Sequence, residues 1–422
     1  MTRRRLSSAT ALASAVALAA MTGCGGSDPV TQQTMPRLVS SDVQREEPSP
    51  AASGSASKAA VGLQEFGHRL LSEHPELLDG VNGVVSPASI GVAFAMLRAG
   101  AEGETAEQID AVFGFPANDR GPAYNALSSQ WIADGEDAPE LSIANSLFVG
   151  DDFALKQPFL DALARDFGVG VRTVDFAGDA AEVINAWVKE QTRDRIDKLF
   201  DELPAETTLV LANAIYLKAT WTLQFTAEAT RDDAFRRANG RAVRVPFMHQ
   251  ASYFDYARGD GWSAVRLPYE GDELAMWVLL PDGAGDPVEL LDPAVLSEAT
   301  TSATSRQVEL ALPKWDFQTD APLTDVLPAM GMPRAFTDEA QFGRVGEQPL
   351  AISQVMHRAD ITVDEEGTEA AAVTGIGMRV TGLPPAPETT FDADHPFAFV
   401  VLHEPTGAPL FEGVVGDPSA VQ

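Results

Sequence analysis

A single cysteine, Cys24, stands in 422 residues, so no disulfide can close within one chain. Basic residues are scarce: 30 Lys+Arg face 61 Asp+Glu, and the formal net charge of −31 argues against electrostatic binding to nucleic acid, polyanions or an anionic membrane face. Long apolar runs are missing beyond the first two dozen residues. Leu274 to Leu280 and Phe397 to Leu402 fall far short of the ~20 residues a membrane-spanning helix needs. The six histidines, His68, His74, His249, His357, His395 and His403, include no i, i+4 pair of the kind a helical zinc site uses, and neither a metal nor a cofactor is expected. G-x-S-x-G, H-E-x-x-H and a Walker loop are absent: His403-Glu404 runs into Pro405, and Gly375-Ile376-Gly377 lacks a third glycine. Nothing here supports enzyme catalysis, although a triad gathered from distant residues stays open.

The N-terminus reads as an address. Arg3, Arg4 and Arg5 precede an Ala/Leu/Val run from Ala9 to Ala20, which ends in Met21-Thr22-Gly23-Cys24. This is the pattern of a secretory signal peptide over residues 1–23. The cleavage region resembles the lipobox of bacterial lipoproteins, which implies acylation of Cys24 and a membrane-anchored protein facing the periplasm or exterior. An ordinary signal peptide with an incidental cysteine is the plainer alternative. Residues 24–58, rich in Ser, Pro, Gln, Gly, Ala and Glu, read as a disordered tether with a reach of ~30 to 35 Å. One folded region follows, residues 59–418.

Helix signals dominate the first part of that region. Ser86-Pro87 supplies an N-cap and a first-turn proline, with Ile90, Ala93, Phe94 and Leu97 at helical spacing. Thr105 and Gln108 read as a capping box opening a second helix, and Ile184 to Phe200 repeats the apolar period. Strand signals then take over, from Thr208–Leu217 to Leu410–Val415. Helices gathered first and strands later indicate an α+β fold.

Between two strong strands, Asp364 to about Asp394 forms a connection without large core residues in its first half. A segment of this length is functional or disordered. Drawn out as a strand, it places Thr368, Ala370, Ala372, Thr374, Ile376 and Met378 on one uncharged face, with Glu369 and Arg379 on the other. That uncharged face suits entry into a sheet over a hydrophobic core. The plainer alternative is a Gly/Ala-rich surface loop.

An ordered set of blocks runs through residues 59–418: Ser86-Pro87-x-Ser89-Ile90, Asn145-Ser146-Leu147-Phe148-Val149, Ile184-Asn185-x-Trp187-Val188, Asn213-Ala214-Ile215-Tyr216-Leu217-Lys218-x-x-Trp221, Leu280-Pro281-Asp282, Leu312-Pro313-Lys314, His395-Pro396-Phe397 and Leu410-Phe411-x-Gly413. In this order they resemble the serpin family. The resemblance implies an α+β serpin fold with about nine helices, three β-sheets and an exposed reactive-centre loop at about residues 365–388. Ser86, Ser89, Asn213 and His357 match the polar cluster under the central sheet called the shutter, and Trp221 matches the tryptophan of the breach where insertion begins. Glu365, Gly367, Thr368, Ala370, Ala371 and Ala372 resemble the small-residue hinge of inhibitory members. Spacing from the hinge glycine and the following Gly-Leu-Pro-Pro both place the reactive bond at Thr381-Gly382, with Arg379 and Met378 as other registers open to a protease.

The function this implies is suicide inhibition of a secreted serine protease, elastase-like or subtilisin-like because Thr381 is small and β-branched. The protein is then a non-enzyme, expected to be monomeric. The alternative is a non-inhibitory serpin acting as a cell-surface binding or structural protein.

Overall fold

The computed structural model describes residues 35–49, 52–78, 81–118, 120–131, 139–368 and 387–420. Its central sheet has seven strands in the order β1 (Arg37–Val39), β4 (Val171–Val174), β3 (Glu140–Gly150), β5 (Leu209–Thr220), β13 (Gly367–Thr368), β12 (Gln354–Val363) and β11 (Trp315–Pro322). Below the two-residue β13, β5 and β12 pair directly and in parallel, from Val210 with Gln354 to Ile215 with Ala359. The sheet therefore carries a seam that is closed along most of its length and held apart at one end.

The second sheet runs β14 (Thr389–Asp392), β10 (Thr304–Pro313), β7 (Ala242–Gly259), β8 (Trp262–Pro268), β9 (Leu274–Pro281), β15 (Phe397–His403), β16 (Ala408–Val415) and β2 (Asn82–Val85), with β6 (Arg231–Arg236) on β7. Three sheets were expected; two stand among the described residues. The difference lies in β7, whose 18 residues pair with β6 over 242–247, with β10 over 247–256 and with β8 over 255–259, joining two groups of strands into one hydrogen-bonded path.

Eight α-helices stand among the described residues where about nine were expected: α1 (Ser53–Glu73), α2 (Pro87–Arg98), α3 (Gly103–Phe113), α4 (Arg120–Ser128), α5 (Gln157–Phe167), α6 (Ala180–Gln191), α7 (Pro293–Ser302) and α8 (Leu323–Ala329). α2 touches β3 and β5 of one sheet and β16 of the other, and all its residues but Arg98 are buried. Its apolar circumference follows from that place between layers. On the opposite face of the central sheet, α6 lays Ile184, Trp187 and Val188 on Phe148, Val210, Ala212 and Ala214. The Trp187 and Phe148 rings meet edge to face at 5.3 Å.

Three local expectations need correction. The stretch read as a tether is structured from residue 35 onward where described: β1 pairs with β4, Glu46 N–H donates to Arg165 O at 2.9 Å, and α1 already begins at Ser53. Its Ser/Gly/Ala opening looks like linker, yet Ala56, Ala59, Ala60 and Leu63 fall on one buried stripe, and tertiary packing supplies the stability that propensity does not. Small residues are also what the packing requires, since a Cβ on Gly62 would lie 2.7 Å from Phe113 O. The Thr105 capping box does not form. The helix starts at Gly103, Thr105 Oγ1 accepts from Gln341 N, and Gln108 Oε1 accepts from Arg334 N. Finally, the apolar period from Ile184 to Phe200 is not one helix. α6 stops at Gln191, left-handed residues Arg193 (φ 52°) and Asp194 (φ 65°) turn the chain, and Ile196, Leu199 and Phe200 are buried from a non-helical segment.

Candidate functional site

The candidate site is the seam between β5 and β12, with one polar cluster beneath its closed part and another around its open end. Ser86 caps α2, its Oγ accepting the Ser89 N–H at 3.0 Å. That cap directs the helix N-terminus at the underside of the sheet, where Asn213 and His357 stand opposite each other in the register of β5 and β12. His357 Nε2 accepts the Ser86 backbone N–H at 3.0 Å, so the ring proton sits on Nδ1 and is donated to Asn213 Oδ1. Asn213 Nδ2 in turn donates to Ser89 Oγ at 2.7 Å and to Asn145 Oδ1. Asn145 closes the network, its Nδ2 donating to Ser89 O at 3.0 Å.

Ser86, Ser89 and His357 are fully buried and Asn213 nearly so. Burial drives the His357 pKa down to about 3, so the imidazole is neutral. Asn145, directly opposite Asn213 on β3, was not singled out as a site residue. Its signal is present in the sequence: a polar residue on the strand face otherwise formed by Leu141, Ile143, Leu147 and Val149.

The open end lies six residues further along β5, about 20 Å by strand rise. Gly367 pairs with Thr220, and Thr368 pairs with Ala219 on one side and Val363 on the other, antiparallel to both. A Cβ on Gly367 would lie 2.0 Å from Ala219 O, so a side chain cannot be accommodated without moving the strand. Thr368 faces the interior at 1% exposure, and its hydroxyl lies 2.6 Å from the Tyr269 hydroxyl. Burial raises the Tyr269 pKa, with the Thr368 contact pulling weakly the other way. The Tyr269 ring stacks on Trp221 at 4.4 Å. Trp221 grips the loop's start directly, its Nε1–H donating to Asp364 O at 3.0 Å and its backbone N–H to Glu366 O at 2.9 Å.

Glu365 is fastened by Lys314 Nζ at 2.5 Å and by the Thr230 hydroxyl at 2.7 Å. Burial opposes its charge, but the Lys314 ammonium, the Thr230 hydroxyl and a backbone donor outweigh that and hold the carboxyl below its ordinary range. Tyr269, Thr230, Lys314 and Asp364 were not anticipated at this site. Lys314 falls in the Leu312-Pro313-Lys314 block, whereas nothing in the sequence around Tyr269 or Thr230 marks their role. Of the residues singled out from sequence, Glu365, Gly367, Thr368 and Trp221 meet here, and Ser86, Ser89, Asn213 and His357 meet below. Ala370, Ala371, Ala372, Thr381, Gly382 and Cys24 lie outside the described residues. Among the described residues no group of His, Cys, Asp or Glu side chains is placed to hold a metal ion.

Residues 62–418 match the protein family described as Serpin (serine protease inhibitor). The chain is 37% identical over 358 residues to an uncharacterized serpin-like protein of Thermococcus kodakarensis, spanning 82% of this chain and 83% of that one. It is 33% identical over 361 residues to serpin-Z1C of Triticum aestivum, spanning 80% of this chain and 90% of the relative. Among solved structures, the thermophilic serpin tengpin in its native state is similar in fold, with a TM-score of 0.79 at 24% identity over 91% of this chain and 100% of that one. Serpin48 of Tenebrio molitor gives a TM-score of 0.74 at 28% identity over 88% and 100%. With the family match spanning residues 62–418 and relatives more than 30% identical over most of both chains, the chain belongs to the serpin family.

Proposed function

We propose that this serpin is a suicide inhibitor of a secreted serine protease, cleaved at Thr381-Gly382 in a loop that spans about residues 365–388. The observation that carries the reading is the seat of Gly367 and Thr368 between β5 and β12, antiparallel to both. Continuing that register puts residues 370, 372, 374, 376 and 378 on the inner face behind Thr368. These are Ala, Ala, Thr, Ile and Met, all uncharged. Thr374 then falls between Asn213 and His357, so insertion has to break their side-chain bond and re-pair both residues.

In the reaction, the protease serine attacks the Thr381 carbonyl carbon, the peptide bond to Gly382 breaks, and the leaving amine takes up the proton. The product is an ester between Thr381 and the protease. Cleavage frees the segment before the bond to continue β13 as a full strand, a transition known for serpin loops, and the tethered protease is dragged with it. The inhibitor supplies no catalytic residue. Thr381 suits a shallow pocket of elastase-like or subtilisin-like shape. Export by residues 1–23, acylation at Cys24 and a monomeric state at the cell envelope complete the proposal.

Mixing the protein separately with pancreatic-type elastase, subtilisin and trypsin tests it. A covalent complex stable in denaturing electrophoresis, with a released peptide starting at Gly382, is expected. Cleavage by all three without a complex would favour a non-inhibitory binding or structural role, and a complex with trypsin alone would move the bond to Arg379.

A further inference from the structure

Glu412 of β16 stands in an otherwise apolar row, between Leu410 and Val414, and is 0% exposed. Neither of its carboxyl oxygens has a hydrogen-bond partner among the described residues. It pairs with Val400 of β15 and with Val85 of β2, the residue before Ser86. Its side chain fills a gap left in α1: a Cβ on Gly67 would lie 2.5 Å from Pro87 Cγ and closer still to Glu412 Oε2. Glycine inside a helix costs stability, and Gly67 keeps that space for the acid and the proline ring. Pro87 is the first residue of α2, and the Ser86 N–H just before it donates to His357 Nε2. The acid and the shutter histidine therefore meet the same junction of β2 and α2.

The titratable groups on the surrounding elements are engaged elsewhere or turned to solvent. On α1, Lys58, Glu65 and Glu73 are exposed, Arg69 pairs with Glu73 at 3.1 Å, and half-buried His68 makes no hydrogen bond to the carboxyl. On α2, Arg98 pairs with Asp110 at 2.7 Å, and β2 has no titratable residue. His403 of β15 bonds Thr406 Oγ1 at 2.7 Å, and Glu289 of the short helix Pro287–Leu291 is exposed. Burial alone then pushes the Glu412 carboxyl well above its ordinary range, and near neutral pH it carries its proton.

We propose that Glu412 is a proton-dependent seat for the first turn of α2: protonated, it lies neutral beside Gly67 and Pro87, and ionised, it draws water in, lifts that turn and loosens the bond from Ser86 to His357. The turn is the part that yields. α1 is held by a buried stripe from Ala56 to Leu71, whereas a helix end opens as a smaller unit at lower cost. The sign follows from linkage. With the turn lifted, the carboxyl meets water and returns towards its ordinary value of 4.5, while the seated form keeps its proton to higher pH. Seating is therefore favoured at low pH and weakens as pH rises, by up to about tenfold in the ratio of the two forms per pH unit. This holds whether or not the loop inserts.

Hydrogen exchange read by mass spectrometry between pH 6 and 8 tests the seat, comparing wild type with Glu412→Gln in the segments 84–97 and 274–281. Taking the ratio of the two proteins at each pH cancels the intrinsic pH dependence of exchange, and glutamine keeps the shape without a proton to lose. In segment 84–97 wild type is expected to quicken relative to the variant by up to about tenfold per pH unit, while the ratio in 274–281 of β9 stays flat. A ratio flat in both segments overturns the seat. A ratio rising equally in both makes the acid a burden on the whole fold, and overturns it too. Glu412→Met, which leaves no polar group to satisfy, is expected to unfold at higher urea than wild type at pH 8; a lower midpoint overturns the seat. The methionine variant also serves as the exchange reference if the glutamine variant does not fold.

Discussion

His357 Nδ1 on β12 donates to Asn213 Oδ1 on β5, across the same strand boundary that Gly367 and Thr368 enter from its far end. The other ring nitrogen accepts from Ser86 at the start of α2. One imidazole therefore ties the two sides of the seam to each other and to the helix beneath. Extending the separation of β5 from β12 past Ile215 and Ala359 must dispose of a buried donor and acceptor two residues further on, which places a barrier in the path of sheet opening.

Asn213→Ala tests that barrier. It leaves the His357 Nδ1 proton without its acceptor and removes the donor to Ser89 Oγ and Asn145 Oδ1. Orphaned buried polar groups cost ~1 to 3 kcal/mol each, so a loss of ~2 to 4 kcal/mol is expected in urea unfolding. An unchanged midpoint would mean that water enters the site and replaces the amide.

The same histidine sets an acid limit. It takes a proton only near pH 3 in the native state, against about 6.5 in an unfolded chain. Between those values the unfolded chain binds the extra proton, so stability falls as pH drops from about 6.5, by up to ~1.4 kcal/mol per pH unit. The melting temperature of His357→Gln is expected to start lower at pH 7 and then to fall less steeply towards pH 4. Comparing the two curves isolates His357 from Asp360, whose raised pKa acts in the opposite sense: its contribution to stability is lost as pH rises through about 6. Parallel curves would sink the assignment.

Much of the seam could be read from the chain because its residues declare themselves locally. Ser86-Pro87 ahead of Ile90, Ala93, Phe94 and Leu97 marks a cap and a first turn, and the alternation around Thr368 fixes which face of the loop is uncharged. The structure places Thr368 on the buried face that this parity assigns. Relations over long sequence separations were hidden. Tyr269 meets Thr368 from 99 residues away and Lys314 meets Glu365 from 51, and no local pattern encodes either. The start of α1 was missed for a different reason. Alanine, serine and glycine signal a linker by composition and a close-packed helix by spacing, and partners on α3 decide between them.

Thr368→Arg addresses the loop itself. The side chain is buried against Tyr269, and a guanidinium placed there loses its hydration at a large cost. The first loop residues are expected to leave the seam, and the protease to complete hydrolysis. Electrophoresis should then show cleaved protein in place of a covalent complex, at an unchanged rate of cleavage. A variant that still trapped protease in full yield would rule out insertion through this seam.

The segment before α1 carries a consequence for where the chain tolerates proteolysis. Residues 37–39 extend the central sheet on its β4 edge, and Arg45 donates to Asn125 Oδ1 and Ser128 Oγ, both at 2.8 Å. Asn125 Nδ2 returns a bond to Glu46 O at 2.7 Å, and Ser41 Oγ donates to Asp161. These contacts cross from the segment to α4 and α5, and Asn125 is only 3% exposed beneath them. Compared with a chain beginning at Met35, one beginning at Pro50 uncovers Asn125 and the β4 edge and should lose ~1 to 3 kcal/mol, since net hydrogen bonds of this kind contribute ~0.5 to 1.5 kcal/mol each and water recovers part of the loss. Equal melting of the two truncations would show that the segment is a passenger.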